Sequence, residues 1–292
     1  MGKKDLILKK VLSDNERFAS IFNNYFFNGD EVINPNELED GNIEYTVNSE
    51  DGKHISRIRD LLKSGLYKLD GNNRYLLLGI ENQTSIDKLM PFRVMLYDAL
   101  TYDHQIHVAK EKKDDKIKLK PVITLVIYYG NRKWNDKLDI LSNLDIDSRL
   151  KEYVSNYNIR VLSIKELTNE EISKYTKDIR QLFKYIKLSN NKEEISTILK
   201  DKDFETVKNE IVDCINILTN SNINYKEGDD KVNMCKGLDE LLKEKKQEGM
   251  LEGKEETRAE DIKTMHSNGA TVDMISKLLG LDINYVKLVL SK

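Results

Sequence analysis

Asp60 and Glu81 are the residues of this chain whose types and spacing most directly suggest chemistry. Asp60 lies in Arg57-Ile58-Arg59-Asp60-Leu61-Leu62. Glu81 lies in Tyr75-Leu76-Leu77-Leu78-Gly79-Ile80-Glu81-Asn82-Gln83. Both segments read as strands, with the turn-forming Asp70-Gly71-Asn72-Asn73 between them. A hairpin over residues 55–62 and 74–81 lays the two acids side by side. Adjacent carboxylates repel unless a cation sits between them. Hard oxygen ligands suit magnesium, or manganese, which also binds phosphates. The chemistry implied is metal-assisted phosphodiester hydrolysis. The carbonyl of Asn82 can add a third ligand. Gln83 follows Glu81 by two positions, so it shares a strand face with it. Its amide can orient a water or touch a phosphate, but it cannot act as a base.

The surrounding pattern supplies elements to hold these residues. Residues 3–28 carry Leu6, Leu8, Val11 and Leu12, then Phe18, Ile21, Phe22 and Tyr25, near helical spacing, broken by the cap-rich Ser13-Asp14-Asn15-Glu16. Two short helices are expected there, and a short strand near 43–47. Residues 88–104 read as a helix with Leu89, Phe92, Leu96 and Leu100 on one face and Pro91 in its first turn. Pro121 to Tyr129 is apolar and β-rich, as in a strand buried on both faces. Residues 159–164 suggest a further strand.

Helical periodicity takes over after about residue 165. Asn and Gly cluster from Thr219 to Asp230, as in a linker. Residues 234–267 are dense in Lys and Glu and carry Gly249 and Gly253, so the helix expected there is marginal. The tail, from Gly269 to Leu290, has the shape of a helix-turn-helix. Its apolar residues Ile275, Leu278, Leu279, Val286 and Val289 point to packing on a partner. A second copy of the chain comes first and DNA second. The expected organisation is an α/β domain over 1–165, a helical extension over 166–230 and a charged helix with a helical hairpin over 231–292.

Composition bounds the class. With 33% charged and 39% hydrophobic residues, the chain is globular rather than disordered. Its net charge of −3 gives no global basic field, so any polyanion must meet a local patch. Cys214 and Cys235 are too few for a disulfide framework or a cysteine zinc site. A cytoplasmic location fits, with no apolar run of membrane-spanning length and no apolar signal core at the start. His54, His104, His107 and His266 have no zinc spacing.

Five pieces of residues 3–136 together resemble a known family. They are Lys4-Asp5, Arg59-Asp60-Leu61, Ile80-Glu81-Asn82-Gln83-Thr84-Ser85, Met90-Pro91-Phe92-Arg93-Val94-Met95-Leu96-Tyr97, and Pro121 through Gly130 with Trp134. In order and spacing they are similar to the recombination-promoting nuclease and putative transposase family of the PD-(D/E)xK nuclease superfamily. The resemblance implies an α/β, restriction-endonuclease-like core: a mixed central sheet flanked by helices, with a helical C-terminal region. It also implies magnesium-dependent DNA cleavage, in the service of recombination or DNA mobility. Asp60 matches the family's metal-binding Asp and Glu81 its second acid. Gln83 stands where the wider superfamily often has Lys. Asp5 matches a first-helix position that approaches the metal. Equally, Asp5 is a helix N-terminal charge. Glu16 is a weaker candidate for the same task.

Arg93 and Tyr97 share a helix face by their i, i+4 spacing. Both are candidate substrate-binding residues, with Arg93 suited either to a DNA phosphate or to a structural acid. Gln83, Thr84 and Ser85 can alternatively cap the helix that follows. Tyr128 and Tyr129 read as packing rather than as nucleophiles. Two other functions compete with the endonuclease reading. One is a non-catalytic binding or assembly module, favoured by the neutral Gln83. The other is a strand-transfer transposase, which lacks a second acidic triad here.

Overall fold

The computed structural model describes residues 2–48, 54–69, 72–113, 117–135, 137–225 and 230–291. Within them the helices α1 (Lys3–Leu12) and α2 (Asn15–Phe27) come first. Asp14 ends the break between them by accepting the Arg17 N–H at 3.0 Å. The strands β1 (Glu39–Asp40), β2 (Glu44–Asn48), β3 (His54–Ile58), β4 (Leu61–Leu69) and β5 (Asn72–Gln83) follow. Next come α3 (Met90–Glu111), β6 (Val122–Tyr128) and β7 (Arg160–Ser163).

The main sheet has the order β1-β4-β5-β6-β7. β4 and β5 are antiparallel, whereas β5, β6 and β7 run parallel, so the sheet is mixed. α3 makes the crossover that a parallel β5–β6 pair requires. It packs Met90 and Val94 on Val126 and Tyr128 of one sheet face. On the opposite face, α2 sets Phe18 against Lys63, whose Nζ is 5.7 Å from the ring centroid. This is the expected α/β architecture, a mixed sheet flanked by helices.

The hairpin differs from the expected one. Residues 55–58 belong to β3, which pairs with β2 in a separate two-stranded sheet. The strand that pairs with β5 starts only at Leu61. Arg59 and Asp60 therefore form a break between two strands instead of the middle of one. Asn72 and Asn73 belong to β5, paired with Leu69 and Lys68. Asp70 and Gly71 lie outside the described residues.

α3 also turns a different face inward. Met90, Val94, Tyr97, Asp98 and Thr101 are buried, while Leu89 and Leu96 are exposed. Leucine spacing misleads here because polar Asp98 and Thr101 occupy the inner face and are satisfied by partners there.

The later helices are α4 (Asn169–Ser173), α5 (Lys177–Leu188) and α6 (Lys192–Ile195). Strand β8 (Val207–Lys208), α7 (Asn209–Thr219) and β9 (Lys231–Val232) complete this part, with β8 paired to β9. Compact packing joins residues 1–235 into one unit, so 166–230 is not a separate extension. The physical reason is Arg17, almost fully buried on α2. Its Nη2 donates to Asp178 of α5 at 2.7 Å and to Glu210 of α7. Its Nη1 donates to the Val11 carbonyl at 3.1 Å. The expected linker is tied down as well, since the Asn216 side chain brackets Ile223 through two hydrogen bonds of 3.0 Å.

The second compact unit is residues 236–292. The helix expected over 234–267 is α8 (Met234–Ser267), which runs through Gly249 and Gly253 without a break. Each glycine costs about 1 kcal/mol against alanine, which the surrounding Lys, Glu and Leu offset. α9 (Val272–Leu279) and α10 (Ile283–Leu290) follow. Gly280 ends α9 at φ +63°, a left-handed conformation that a Cβ disfavours. Ile275, Val286 and Val289 form a small core with Ile262 of α8. Part of the expected apolar face is thus covered by the hairpin's own chain. Leu278 stays outside this core at 70% exposure. Among the described residues no helix is long and apolar enough to cross a membrane.

Candidate active site

The β4–β5 register, with Leu61 opposite Ile80, brings Asp60 to the end of β5. Asp60 Oδ2 accepts the Asn82 backbone N–H at 2.7 Å. In an extended strand the N–H and C=O of one residue point to the same edge. The Asn82 carbonyl therefore faces the Asp60 side, beyond the start of β4, where no ladder partner claims it. Gln83 faces the other way at the backbone level, with its carbonyl accepting the Tyr129 N–H at 2.8 Å. Its half-buried side chain ends β5. Tyr129, fully buried, donates its hydroxyl to Asn82 Oδ1 at 3.2 Å and so fixes that side chain.

Burial sets the electrostatics of the two acids. It raises the Asp60 pKa, with the Asn82 N–H opposing and the nearby Asp5 charge adding to the rise. Glu81 is pushed up to about 8, first by burial and then by the Asp60 charge. Arg59 and Arg93 oppose that rise. Both arginines flank the Glu81 carboxylate. Arg59 Nε stands 4.0 Å from Oε1 and Arg93 Nη2 stands 3.9 Å from Oε2. Glu81 Oε1 and Arg59 Nε are buried and have no hydrogen-bond partner among the described residues.

The remaining candidates divide. Asp5 accepts the Gly2 N–H at 3.0 Å, and its charge adds to the rise at Asp60. Glu16 lines a separate cleft of about 750 Å³ with Asn23, Glu31 and Lys174, and is not brought to the acids. Arg93 is 41% exposed and holds Asp87 at 2.8 Å. Tyr97 is 9% exposed, with its ring centroid 5.5 Å from the Arg59 guanidinium carbon. The histidines lie elsewhere. His107 meets Asp103 at 3.5 Å, His104 stacks edge-on to Tyr45, and His266 lies near the Ala270 carbonyl. The His54 side chain lies outside those described. Tyr128 packs edge-on against Trp134, with ring centroids 5.0 Å apart.

One cluster was not apparent from residue types alone. Arg59 donates Nη1 to Thr124 Oγ1 at 2.9 Å and Nη2 to Asp98 Oδ1. Asp98 also accepts the Thr124 hydroxyl at 2.6 Å and the Tyr157 hydroxyl. Gly79 was the available signal, as a glycine inside a β-rich strand marks a close approach. A Cβ at that position would lie 2.2 Å from Arg59 Nη1.

Among the described residues no three His, Cys, Asp or Glu side chains gather as a metal site. Two carboxylates and a free strand-edge carbonyl, one buried oxygen among them lacking a donor, still fit a hard divalent cation that keeps waters and a phosphate as further ligands. The pH dependence of folding tests the strain at Glu81. Folded Glu81 keeps its proton to about pH 8, whereas unfolding returns it to the ordinary value of 4.5. Its contribution to stability is full below about 4.5 and is lost as pH rises toward 8. In EDTA, Glu81→Gln should therefore gain in Tm over wild type as pH goes from 5 to 8.5. A Tm difference that does not change with pH contradicts the buried, raised carboxyl.

A family model described as "Putative transposase, YhgA-like" matches residues 3–211. No curated protein and no solved structure matches the chain significantly.

Proposed function

The chain belongs to the YhgA-like putative transposase family, and from that premise we propose that it is a metal-dependent endonuclease of the PD-(D/E)xK type that hydrolyses DNA phosphodiester bonds. The observation that carries this reading is the Glu81 carboxylate. It is buried beside Asp60, with one oxygen left without a donor. A buried polar atom without a partner costs roughly 1–3 kcal/mol. A divalent cation shared by Asp60, Glu81 and the Asn82 carbonyl would remove that cost.

Magnesium or manganese, when bound, polarises the scissile phosphate and lowers the pKa of a bound water. The chain's own residues do the rest. Asp60 is fixed by the Asn82 N–H at 2.7 Å, so its carboxylate is held at the end of β5 beside Glu81. Gln83 orients the attacking water or a phosphate oxygen without taking a proton. Arg93, the exposed guanidinium beside Glu81, grips a DNA phosphate. Tyr97 supports from beneath, through Arg59. Asp5 adds negative charge at the rim. The activity suits DNA recombination or mobility.

Purified full-length protein with supercoiled plasmid tests the reading. Nicked or linear product should form with Mg²⁺ or Mn²⁺ and not in EDTA. DNA binding without cleavage under either metal would favour the non-catalytic module, which the neutral Gln83 would suit. Within the enzyme reading, Gln83→Ala should slow cleavage by about tenfold to a hundredfold, as for the loss of one positioned polar group. Gln83→Lys should keep or raise the rate. A dead Gln83→Lys beside an active Gln83→Ala sinks this role for Gln83.

A further inference from the structure

We propose that Arg59 is a positioning residue for Glu81, its uncommitted Nε standing 4.0 Å from Oε1 and orienting the carboxylate by charge. The proposal rests on the nuclease reading, because Glu81 and Asp60 are where the divalent cation would bind.

The guanidinium is fully buried and almost every part of it is committed. Nη2 is held by Asp98, and Nη1 by Thr124 at 2.9 Å. The Tyr97 ring supports its carbon at 5.5 Å. The gap left by Gly79 admits the group, since a Cβ there would lie 2.2 Å from Nη1. Asp98 is itself fixed by the hydroxyls of Thr124 and Tyr157. Only Nε is left over, and it stands 4.0 Å from Glu81 Oε1, the atom that also lacks a partner.

A purely structural ion pair this deeply buried would close to hydrogen-bond distance, as Arg59 does with Asp98. The gap leaves Glu81 Oε1 without a donor while a fixed positive group stands behind it. Asp98 answers most of the Arg59 charge, so what Arg59 brings to Glu81 is the local positive edge at Nε more than net charge. Arg93 flanks the other Glu81 oxygen but is 41% exposed and tied to Asp87. It can turn to a substrate, whereas Arg59 cannot leave. Outer partners of this kind orient metal ligands, and their loss typically costs about 10–100-fold in metal affinity. Lysine cannot stand in for Arg59, because it keeps the charge but lacks the planar fork that places Nε.

Mn²⁺ binding to the full chain, followed by electron paramagnetic resonance of the free ion, tests this without reference to turnover. Arg59→Lys keeps a cation beside Asp98, and a melting curve verifies its fold. It should weaken Mn²⁺ binding by about 10–100-fold in the wild-type background. In a Glu81→Gln background the same change should matter by less than about threefold, because the group being positioned is gone. Equal Mn²⁺ affinity of Arg59→Lys and wild type overturns the positioning role while leaving the nuclease reading intact. An equal loss in both backgrounds also overturns it, as that is a general packing effect. No Mn²⁺ binding by wild type overturns the nuclease reading and the proposal with it. If Arg59→Lys does not fold, Thr124→Val, which removes the Nη1 acceptor and the hydroxyl donated to Asp98 but keeps every charge, decides by the same two-background comparison.

Discussion

Glu81→Gln and Asp60→Asn should each lower plasmid cleavage by about a thousandfold or more, the loss of several kcal/mol of transition-state stabilisation. Each change removes one of two negative oxygen ligands while keeping the side chain's shape. The fold should survive both. An asparagine amide at position 60 still offers an oxygen to the Asn82 N–H, which Asp60 now accepts at 2.7 Å. A glutamine at position 81 ends the repulsion between the acids and carries no charge into a buried site. Rates measured at saturating Mg²⁺ on proteins matched by circular dichroism give the comparison. Wild-type cleavage by either variant moves the active site elsewhere.

Arg17→Met should be the most damaging change outside the site. It strands Asp178 and Glu210, which Arg17 now joins across three helices. Removing one partner of a buried ion pair costs about 3–5 kcal/mol. The lower end applies, because Lys208 stays 2.9 Å from Asp178 and Glu210 is 30% exposed. Urea unfolding of the full chain measures the loss. Arg17→Met with Asp178→Asn and Glu210→Gln should recover part of it, since no unpaired buried charge then remains. A loss below about 1 kcal/mol for Arg17→Met alone contradicts the role assigned to this cluster.

The acids are legible in the sequence because their meeting is local. Two strands with a turn between them and a period of two are enough to put Asp60 near Glu81. The strand Val122–Tyr128 is legible from its apolar, β-rich run, whereas the mixed sheet around it is implied by the family resemblance. What stays hidden depends on contacts between distant residues. Arg17 meets Glu210 across 193 positions, so no local pattern tells that the later helices join the first unit. Arg59 is in view as a neighbour of Asp60, but its burial depends on Asp98 and Thr124 arriving from α3 and β6. The inner face of α3 is misread because hydrophobic periodicity discounts an aspartate and a threonine. The tail hairpin reads as needing a partner because so short an apolar hairpin is marginal alone, and nothing local tells that Ile262 of α8 covers it.

The two halves of the site also close over very different spans of chain. Asp60 meets the Asn82 N–H across 22 positions, within one antiparallel pair. Arg59 meets Asp98 across 39 positions and Thr124 across 65, and it needs the parallel strand delivered by α3. Short loops close with less entropy lost, and non-local parallel pairing is slow. During folding the carboxylates therefore come together first, and the guanidinium that steadies one of them arrives later. A divalent cation, or a proton at mildly acidic pH, relieves the repulsion in that interval. If the proposed cation site forms, the ion would assist the assembly of the chain before any substrate is met.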